Sequence, residues 1–206
     1  MPPHLLAFAA VAVVLIAVPG PSVLFVIGRS ITLGRRGGLL SVLGNALGMA
    51  VHVAAVAVGL GALVAGSAPL LTVVKVLGAA YLVLLGVQAI RHRARAAEVP
   101  AVPGGTGRVL RQGFLVGVSN PKSVVFLAAV LPQFVDRAAG AVPLQLAVLG
   151  AVFLVLAVVS DGVWALLAGT ARQWLARSPK RLRRLDATGG AMMIGLGGVL
   201  ATTSTS

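Results

Sequence analysis

The chain has 206 residues, of which 58% are hydrophobic and only 10% are charged. Soluble domains carry about 25% charged residues, so this composition, with a mean hydropathy of +1.02, excludes a soluble globule and indicates a membrane protein. A formal net charge of +13 would suggest nucleic-acid binding in a soluble protein, but membrane topology explains where the basic residues lie. The sequence holds no cysteine, which excludes a disulfide framework, thiolate metal sites and cysteine catalysis.

Long uncharged runs predict an all-α integral membrane protein with six transmembrane helices, because a span needs about 20 apolar residues. The chain then forms one membrane domain over residues 1–206. A linker rich in Pro and Gly, at 96–107, separates a first half (about 1–95) from a second half (about 108–206). The predicted spans cover residues 5–27, 38–64, 69–90, 113–133, 143–170 and 187–201.

The basic residues are concentrated in every second loop. Of the 17 Lys and Arg residues, 14 follow the first, third and fifth predicted spans, whereas the intervening loops hold only Arg137. By the positive-inside rule, the basic loops face the cytoplasm, and both chain termini then lie outside.

Each half contains three predicted spans, so any internal repeat must be inverted in the membrane. Inverted repeats are an architecture of secondary transporters. A short echo, Ser-Val-Leu-Phe at 22–25 and Ser-Val-Val-Phe at 123–126, falls at corresponding places in the two halves. The sequence therefore predicts two inverted three-helix repeats.

The echo follows the two strongest interruptions of helical backbone in the sequence, Pro19-Gly20-Pro21 and Asn120-Pro121. Proline cannot donate the helical hydrogen bond, so we expect the carbonyls of Leu15, Ala17 and Gly117 to lose their usual partners. Lipid cannot satisfy such carbonyls, which are tolerated only against protein or a wet cavity. Simple packing kinks are the alternative explanation for either break taken alone.

Five polar or interrupted positions, each from a different span, lie nine to eleven residues from a cytoplasmic arginine. At about 1.5 Å per residue, they lie at least about 13 Å deep, near the middle of a hydrocarbon core about 30 Å thick. His52 is expected in the outer half, as a hydrogen-bonded packing residue or as a proton relay. The five positions are Gly20, Asn45, Tyr81, Asn120 and Asp161.

A new helix is expected to start after each break, with Ser22 following the first break, and with Asn120 as N-cap and Pro121 as first residue at the second. The positive ends of these helices suit a carboxylate, and Lys122 adds positive charge. Asp161, the only acidic residue inside a predicted span, suits a substrate ammonium or a transferred proton. A structural ion pair between Lys122 and Asp161 is the alternative. Together these residues indicate a zwitterionic ligand.

Three glycine pairs have the GxxxG spacing that lets helices approach closely. In a six-helix bundle we expect them to join neighbouring helices of one chain rather than to form a dimer face, and a homodimer stays open. The pairs are Gly34/Gly38, Gly44/Gly48 and Gly113/Gly117.

Several motifs of the sequence match a known family. The Pro-Gly-Pro turn is followed by Arg-Gly-Gly-Leu at 36–39, Gly-Ala-Ala-Tyr-Leu occupies 78–82, and Asn-Pro-Lys at 120–122 precedes Leu-Pro-Gln-Phe at 131–134. With Asp-Gly-Val-Trp at 161–164, these motifs resemble the LysE/RhtB-type amino-acid exporter (LysE translocator) family. The resemblance extends over about residues 5–200.

The resemblance implies a multi-pass transporter of the bacterial plasma (inner) membrane that exports amino acids or their derivatives and is coupled to the proton-motive force. It implies no enzyme activity, no cofactor and no resident metal. The partners are a small zwitterionic amino acid, protons and the lipid bilayer, without nucleic acid. Members move lysine, arginine, homoserine, threonine, leucine or cysteine, and no residue here selects among them.

The candidate transport residues come from the resemblance and from depth. Position by position, the family's signature falls on Pro19, Gly20, Pro21, Asn120, Pro121, Lys122 and Asp161. Ser22, Asn45 and Tyr81 join them by their place in the predicted spans, and Asp161 is the candidate for proton coupling.

Other classes of function are weaker alternatives. More distant relatives in the superfamily handle metal ions or other small solutes, for which Asn45, His52 and Asp161 are the few candidate ligands. An intramembrane enzyme needs at least two acid/base groups or a metal cluster, whereas this sequence offers one acid at mid-depth and no HExxH or GxSxG motif. A channel or structural subunit would show no saturation and no proton coupling.

Overall fold

A computed structural model describes residues 4–17, 19–60 and 105–171, with isolated helical residues between 72 and 87. These residues are helical and include no strand, in agreement with the all-α prediction. The linker, the predicted span 187–201 and most of the predicted span 69–90 lie outside the described residues. The count of six spans and the inverted repeat therefore stay predictions.

The described residues form five α-helices: α1 (Leu5–Ala17), α2 (Pro21–Ala55), α3 (Thr106–Val118), α4 (Pro121–Val125) and α5 (Val142–Thr170). A π-helical turn, Val56–Leu60, continues α2, whereas a π-helical turn, Phe126–Val130, and a 3-10 turn, Leu131–Phe134, continue α4. By length and composition alone, Val142–Thr170 could cross a membrane, and so could Pro21–Gly59 if its interruption at Gly34 is disregarded. Thr106–Val118 and Pro121–Phe134, bent by 44°, would make a third span if they are taken together.

The first predicted interruption lies between α1 and α2. Gly20 precedes α2 in an extended conformation (φ −93°, ψ −174°), and Pro21 takes the first helical position, where its fixed φ is suitable. The predicted bounds, one span ending near residue 27 and the next beginning near residue 38, differ from those of the structure, although the chain does break between them. Helical backbone continues through Arg29 to Ala55, with a single non-helical residue at Gly34.

Gly34 turns α2 back on itself. Its φ of 75° with ψ of −175° is a conformation open almost only to glycine. Eight residues along a straight helix span about 12 Å, yet a Cβ on Gly38 would collide with the Ser30 hydroxyl, so the chain reverses between them. We therefore divide α2 into a first arm (residues 21–33) and a second arm (residues 35–55). The charged loop expected between two spans is thus reduced to one tight turn.

The second interruption lies between α3 and α4, where Asn120 is the N-cap and Pro121 the first helical residue. The Gly117 carbonyl, which was expected to lose its partner, accepts the Asn120 N–H at 3.2 Å. The Lys122 N–H donates to the Asn120 side chain at 3.1 Å instead of to the carbonyl four residues earlier. The Val118 carbonyl lies 2.9 Å from His52 Nε2, and since a carbonyl only accepts, the histidine donates and caps the broken helix.

The second arm of α2 packs against α3 through two of the glycine pairs. A Cβ on Gly113 would lie 2.6 Å from the Ser41 carbonyl oxygen, and a Cβ on Gly48 would lie 2.5 Å from both the Phe114 carbonyl oxygen and the Val118 nitrogen. Only residues without a side chain allow backbones to approach so closely. The prediction that these pairs join neighbouring helices of one chain is confirmed.

An apolar core lies beside the two breaks and connects α1, the π-helical turn after α4, and α5. The ring of Phe126 stacks on that of Phe153, with centroids 5.0 Å apart, and lies 5.9 Å from the ring of Phe8. The outer surface carries large exposed apolar side chains, among them Leu6 and Val58. Apolar surface of this kind is typical of a protein solvated by lipid.

The same order of elements occurs twice, once in the described residues up to 60 and again in residues 105–171. Each begins with a 13-residue helix, α1 or α3, which is followed by a break, a helix starting with proline, a glycine of positive φ and a long helix. The glycines are Gly34 (φ 75°) and Gly140 (φ 69°). This order supports the predicted internal repeat but says nothing of how each part is oriented in a membrane.

Candidate functional site

A hydrogen bond joins the two breaks directly. Asn120 Nδ2 donates to Ser22 Oγ at 3.0 Å, and also to Ser123 Oγ at 3.0 Å. The orientation of the Asn120 amide follows from its other end, because Oδ1 accepts the Lys122 N–H and only the oxygen can accept. The first residue after the Pro-Gly-Pro turn and the Asn-Pro-Lys motif therefore form one polar cluster.

The acid predicted inside a span, Asp161, belongs to a second pair of buried polar residues. Asp161 is 4% exposed, and its Oδ2 accepts a hydrogen bond of 2.8 Å from Asn45 Nδ2. Asn45 is fully buried on the second arm of α2, and its Oδ1 is buried without a hydrogen-bond partner among the residues that the structure describes. The Gly34 turn brings Ser22 and Asn45, which are 23 residues apart, to the same region.

A small cavity with an open side lies between these groups. The buried Lys122 interacts electrostatically with Asp161, so the cavity is lined by one basic and one acidic side chain. Its polar lining residues are Ser22, Asn120, Lys122, Ser123 and Asp161. Its apolar lining residues are Leu15, Ile16, Val23, Met49, Phe153 and Ala157.

The structure brings together five of the ten residues predicted from sequence: Ser22, Asn45, Asn120, Lys122 and Asp161. Four of these line the cavity, and Asn45 lies behind Asp161. The remaining backbone-breaking residues, Pro19, Gly20, Pro21 and Pro121, shape the two breaks and are not lining residues. Tyr81, in contrast, is an exposed helical residue outside the lining.

Sequence reasoning missed Ser123 as a site residue, although it is the counterpart of Ser22 in the four-residue echo. It also missed Met49 and Ala157. Met49 follows Asn45 by four residues, and Ala157 precedes Asp161 by four, so each shares a helix face with a residue that was predicted. Helical spacing from the polar residues could therefore have found them.

The candidate metal ligands do not form a cluster. In the described part of the chain, no group of three or more His, Cys, Asp or Glu side chains could hold a metal ion. Asn45 is hydrogen-bonded to Asp161, whereas the His52 ring is hydrogen-bonded to the Val118 carbonyl of the broken helix.

Two interrupted helices that meet at a buried polar cavity within an apolar helical protein are features of membrane transport proteins. The model of the LysE type translocator family matches residues 13–204, and the chain therefore belongs to this family, as the resemblance implied.

The chain is similar in sequence to several known proteins. The chain is 39% identical over 199 residues to an uncharacterized membrane protein of Vibrio cholerae, covering 96% of each chain. It is 33% identical over 187 residues to the homoserine/homoserine lactone efflux protein of Salmonella typhimurium, covering 89% of each. It is 31% identical over 129 residues to the leucine efflux protein of Salmonella typhimurium, covering 61% of this chain and 60% of the relative. No solved structure matches the chain.

Proposed function

We propose that this protein is a secondary transporter that exports small, neutral amino acids or their derivatives across the bacterial inner membrane. The observation that carries the proposal is a cavity whose lining combines hydrogen-bond donors, Lys122 and Asp161. Relatives named as homoserine and leucine efflux proteins support export as the direction of transport.

The serine and lysine side chains of the lining suit a carboxylate. Because the Asn120 amide donates to the oxygens of Ser22 and Ser123, each hydroxyl keeps its hydrogen for another acceptor. The Lys122 ammonium lines the same cavity. Charge-assisted hydrogen bonds of this kind are the stronger ones in proteins.

The Asp161 carboxylate suits an ammonium group. Asn45 occupies one oxygen of Asp161 and orients the carboxylate, which borders the cavity. A bound zwitterion would give its ammonium to Asp161 and its carboxylate to Lys122, replacing their mutual interaction without changing the net charge of the cavity. Charge balance matters because an uncompensated charge at this depth is costly. Lys122 and Asp161 would then interact with each other when the cavity is empty and with the substrate when it is occupied.

The apolar lining favours a neutral side chain on the substrate. Among the lining residues, Asp161 is the only acid, so a second ammonium, as in lysine, would find no carboxylate and would be repelled by Lys122. Leucine-like or homoserine-like side chains can instead contact Met49, Phe153 and Ala157.

The proposed driving force is the entry of a proton in exchange for the zwitterion. With a negative interior, an inward proton releases about 2.3 kcal/mol per 100 mV, and a zwitterion carries no net charge outward. Asp161 would carry the proton on the return step. The proposed orientation has the basic loops in the cytoplasm and both termini outside, and the two halves rock about the cavity.

The test replaces Asp161 by Asn and measures export of radiolabelled L-homoserine and L-leucine from proteoliposomes with an imposed proton gradient. We expect saturable, proton-dependent export to fall at least tenfold, because a hydrogen bond to a charged group contributes about 1.5–3 kcal/mol. The matched control is Asp136→Asn, since this acid lies in the loop before α5 and its Oδ1 accepts backbone N–H groups, as an amide oxygen also can. Undiminished proton-dependent export by Asp161→Asn would remove Asp161 from the mechanism. Counterflow separates a carrier from a channel.

A further inference from the structure

A second buried cation, Arg29, lies outside the cavity. It is 3% exposed on the first arm of α2, with its guanidinium 5.3 Å from the centroid of the Phe25 ring. Its Nη2 donates to Gln112 Oε1 on α3. Its Nε and Nη1 are buried and have no hydrogen-bond partner among the described residues. A buried charge without an anion is costly, and unsatisfied buried donors add to that cost.

The position of Arg29 relates it to the cavity. It follows Ser22 by seven residues, which is two helical turns, so both lie on one face of the first arm about 10 Å apart along the axis. Ser22 contacts α4 through Asn120, and Arg29 contacts α3 through Gln112. These two hydrogen bonds lie at two positions along one interface between the halves. The Arg29 bond is the one nearer to the Gly34 turn.

The surroundings of Arg29 favour an anion. Arg108, at the start of α3, acts on it electrostatically as a second positive charge. The two acids in the described part of the chain lie elsewhere, because Asp161 is bonded to Asn45 and Asp136 accepts N–H groups of its own loop. The described residues therefore offer this pair of arginines no carboxylate.

We infer that Arg29 is a second carboxylate-binding site, which holds the substrate at the cytoplasmic level of the interface before it reaches the cavity. The inference rests on the proposed function for the nature of the ligand and on the predicted topology for the side of the membrane. In the structure the site is closed, with Gln112 as the acceptor. When the halves separate at this level, the substrate carboxylate replaces Gln112 and satisfies the donors that are now without partners. The carboxylate then moves about two helical turns to Ser22.

A carboxylate can reach Arg29 from two sources, the substrate or the chain itself. Glu98 and Asp186 lie outside the described residues, in predicted cytoplasmic loops. The experiment must therefore include variants that remove each of these acids separately.

The experiment measures initial rates of uptake of radiolabelled L-homoserine and L-leucine into inside-out membrane vesicles, whose outer face is the cytoplasmic one. The test variant is Arg29→Gln, with Arg29→Lys as a conservative partner that keeps the charge. The matched control is Arg36→Gln, which removes the same charge from an exposed residue just beyond the Gly34 turn. Glu98→Gln and Asp186→Asn complete the set.

We expect Arg29→Gln to raise the half-saturation concentration about tenfold, because one charge-assisted hydrogen bond to the substrate is lost. The maximal rate should stay within about twofold of the wild type. Arg29→Lys should show a smaller rise, and Arg36→Gln, Glu98→Gln and Asp186→Asn should match the wild type. An unchanged half-saturation concentration in Arg29→Gln overturns the inference, as does the same rise in either acid variant, which would identify the chain's own carboxylate as the partner.

The outcomes separate this inference from the proposed function. If export is lost in Asp161→Asn but is the same as wild type in Arg29→Gln, the proposed function stands and the second site is removed. If the wild-type protein shows no saturable transport of either probe, both fail. If Arg29→Gln and Arg29→Lys are both aggregated in detergent by size-exclusion chromatography, the residue is structural and the inference is wrong.

Discussion

The glycine contact between the second arm of α2 and α3 makes a quantitative prediction for Gly48→Ala. The added Cβ would lie 2.5 Å from the Phe114 carbonyl oxygen, 2.5 Å from the Val118 nitrogen and 2.8 Å from the Gly117 carbonyl carbon, whereas ordinary contact begins near 3.4 Å. All three neighbours are backbone atoms of α3 or directly at its end, so no side chain can rotate away. The two helices must separate by roughly 0.9 Å for the methyl group to fit.

This separation should lower the free energy of unfolding by about 2–3 kcal/mol, the upper part of the usual range for overpacking. The same movement pulls His52 from the Val118 carbonyl, which it caps at 2.9 Å. The assay is titration with SDS in detergent micelles, followed by circular dichroism. The matched control is Gly162→Ala, inside α5, where a Cβ meets nothing within 4 Å.

We expect Gly162→Ala to leave the free energy of unfolding unchanged or to raise it by up to about 1 kcal/mol, since alanine is the better helix former. Equal stability of the Gly48→Ala and Gly162→Ala proteins would refute the close approach of α2 and α3, and with it the way in which the two halves meet.

Two further substitutions test the polar cluster and the turn. Asn120→Asp keeps an acceptor for the helix N-terminus, but export should fall at least tenfold because the hydroxyls of Ser22 and Ser123 would donate to the new carboxylate. Normal export in the vesicle assay would contradict the assignment of these hydroxyls to the substrate. Gly34→Ala should destabilise by about 1–3 kcal/mol in the SDS titration, because φ is 75° there, and the same result as Gly162→Ala would mean that the turn has a different backbone conformation.

Local chemistry explains why much of the site was predictable. Proline removes a backbone donor wherever it stands, so Pro21 and Pro121 marked the breaks without any knowledge of tertiary contacts. A charged residue in an apolar run is expensive enough to need a function, and Asp161 was therefore a candidate from its position alone. A similar number of residues to the nearest arginine then grouped Asn45 with Asp161, and the two share a hydrogen bond.

The same counting could not distinguish a residue at the right depth from one on the right face. Counting predicts for Tyr81 the depth of the other candidates, but its side chain is exposed and it is not among the lining residues of the cavity. Ser123 was overlooked because its importance comes from a partner, the amide of Asn120. Likewise, the partner of the Val118 carbonyl is a histidine 66 residues away in sequence, which no local rule indicates.

The sequence by itself determined the solvent of this protein, its helical class, its family and the two places where helices must break, because these depend on composition and on backbone chemistry. Tertiary structure decided that α2 folds at a single glycine, that Ser22 and Asn120 share a hydrogen bond, and that Arg29 is buried with two nitrogens unsatisfied by the described residues. These depend on how close two backbones can come and which side chains then face each other. Hydropathy, which records only whether a residue prefers lipid or water, carries no information about either.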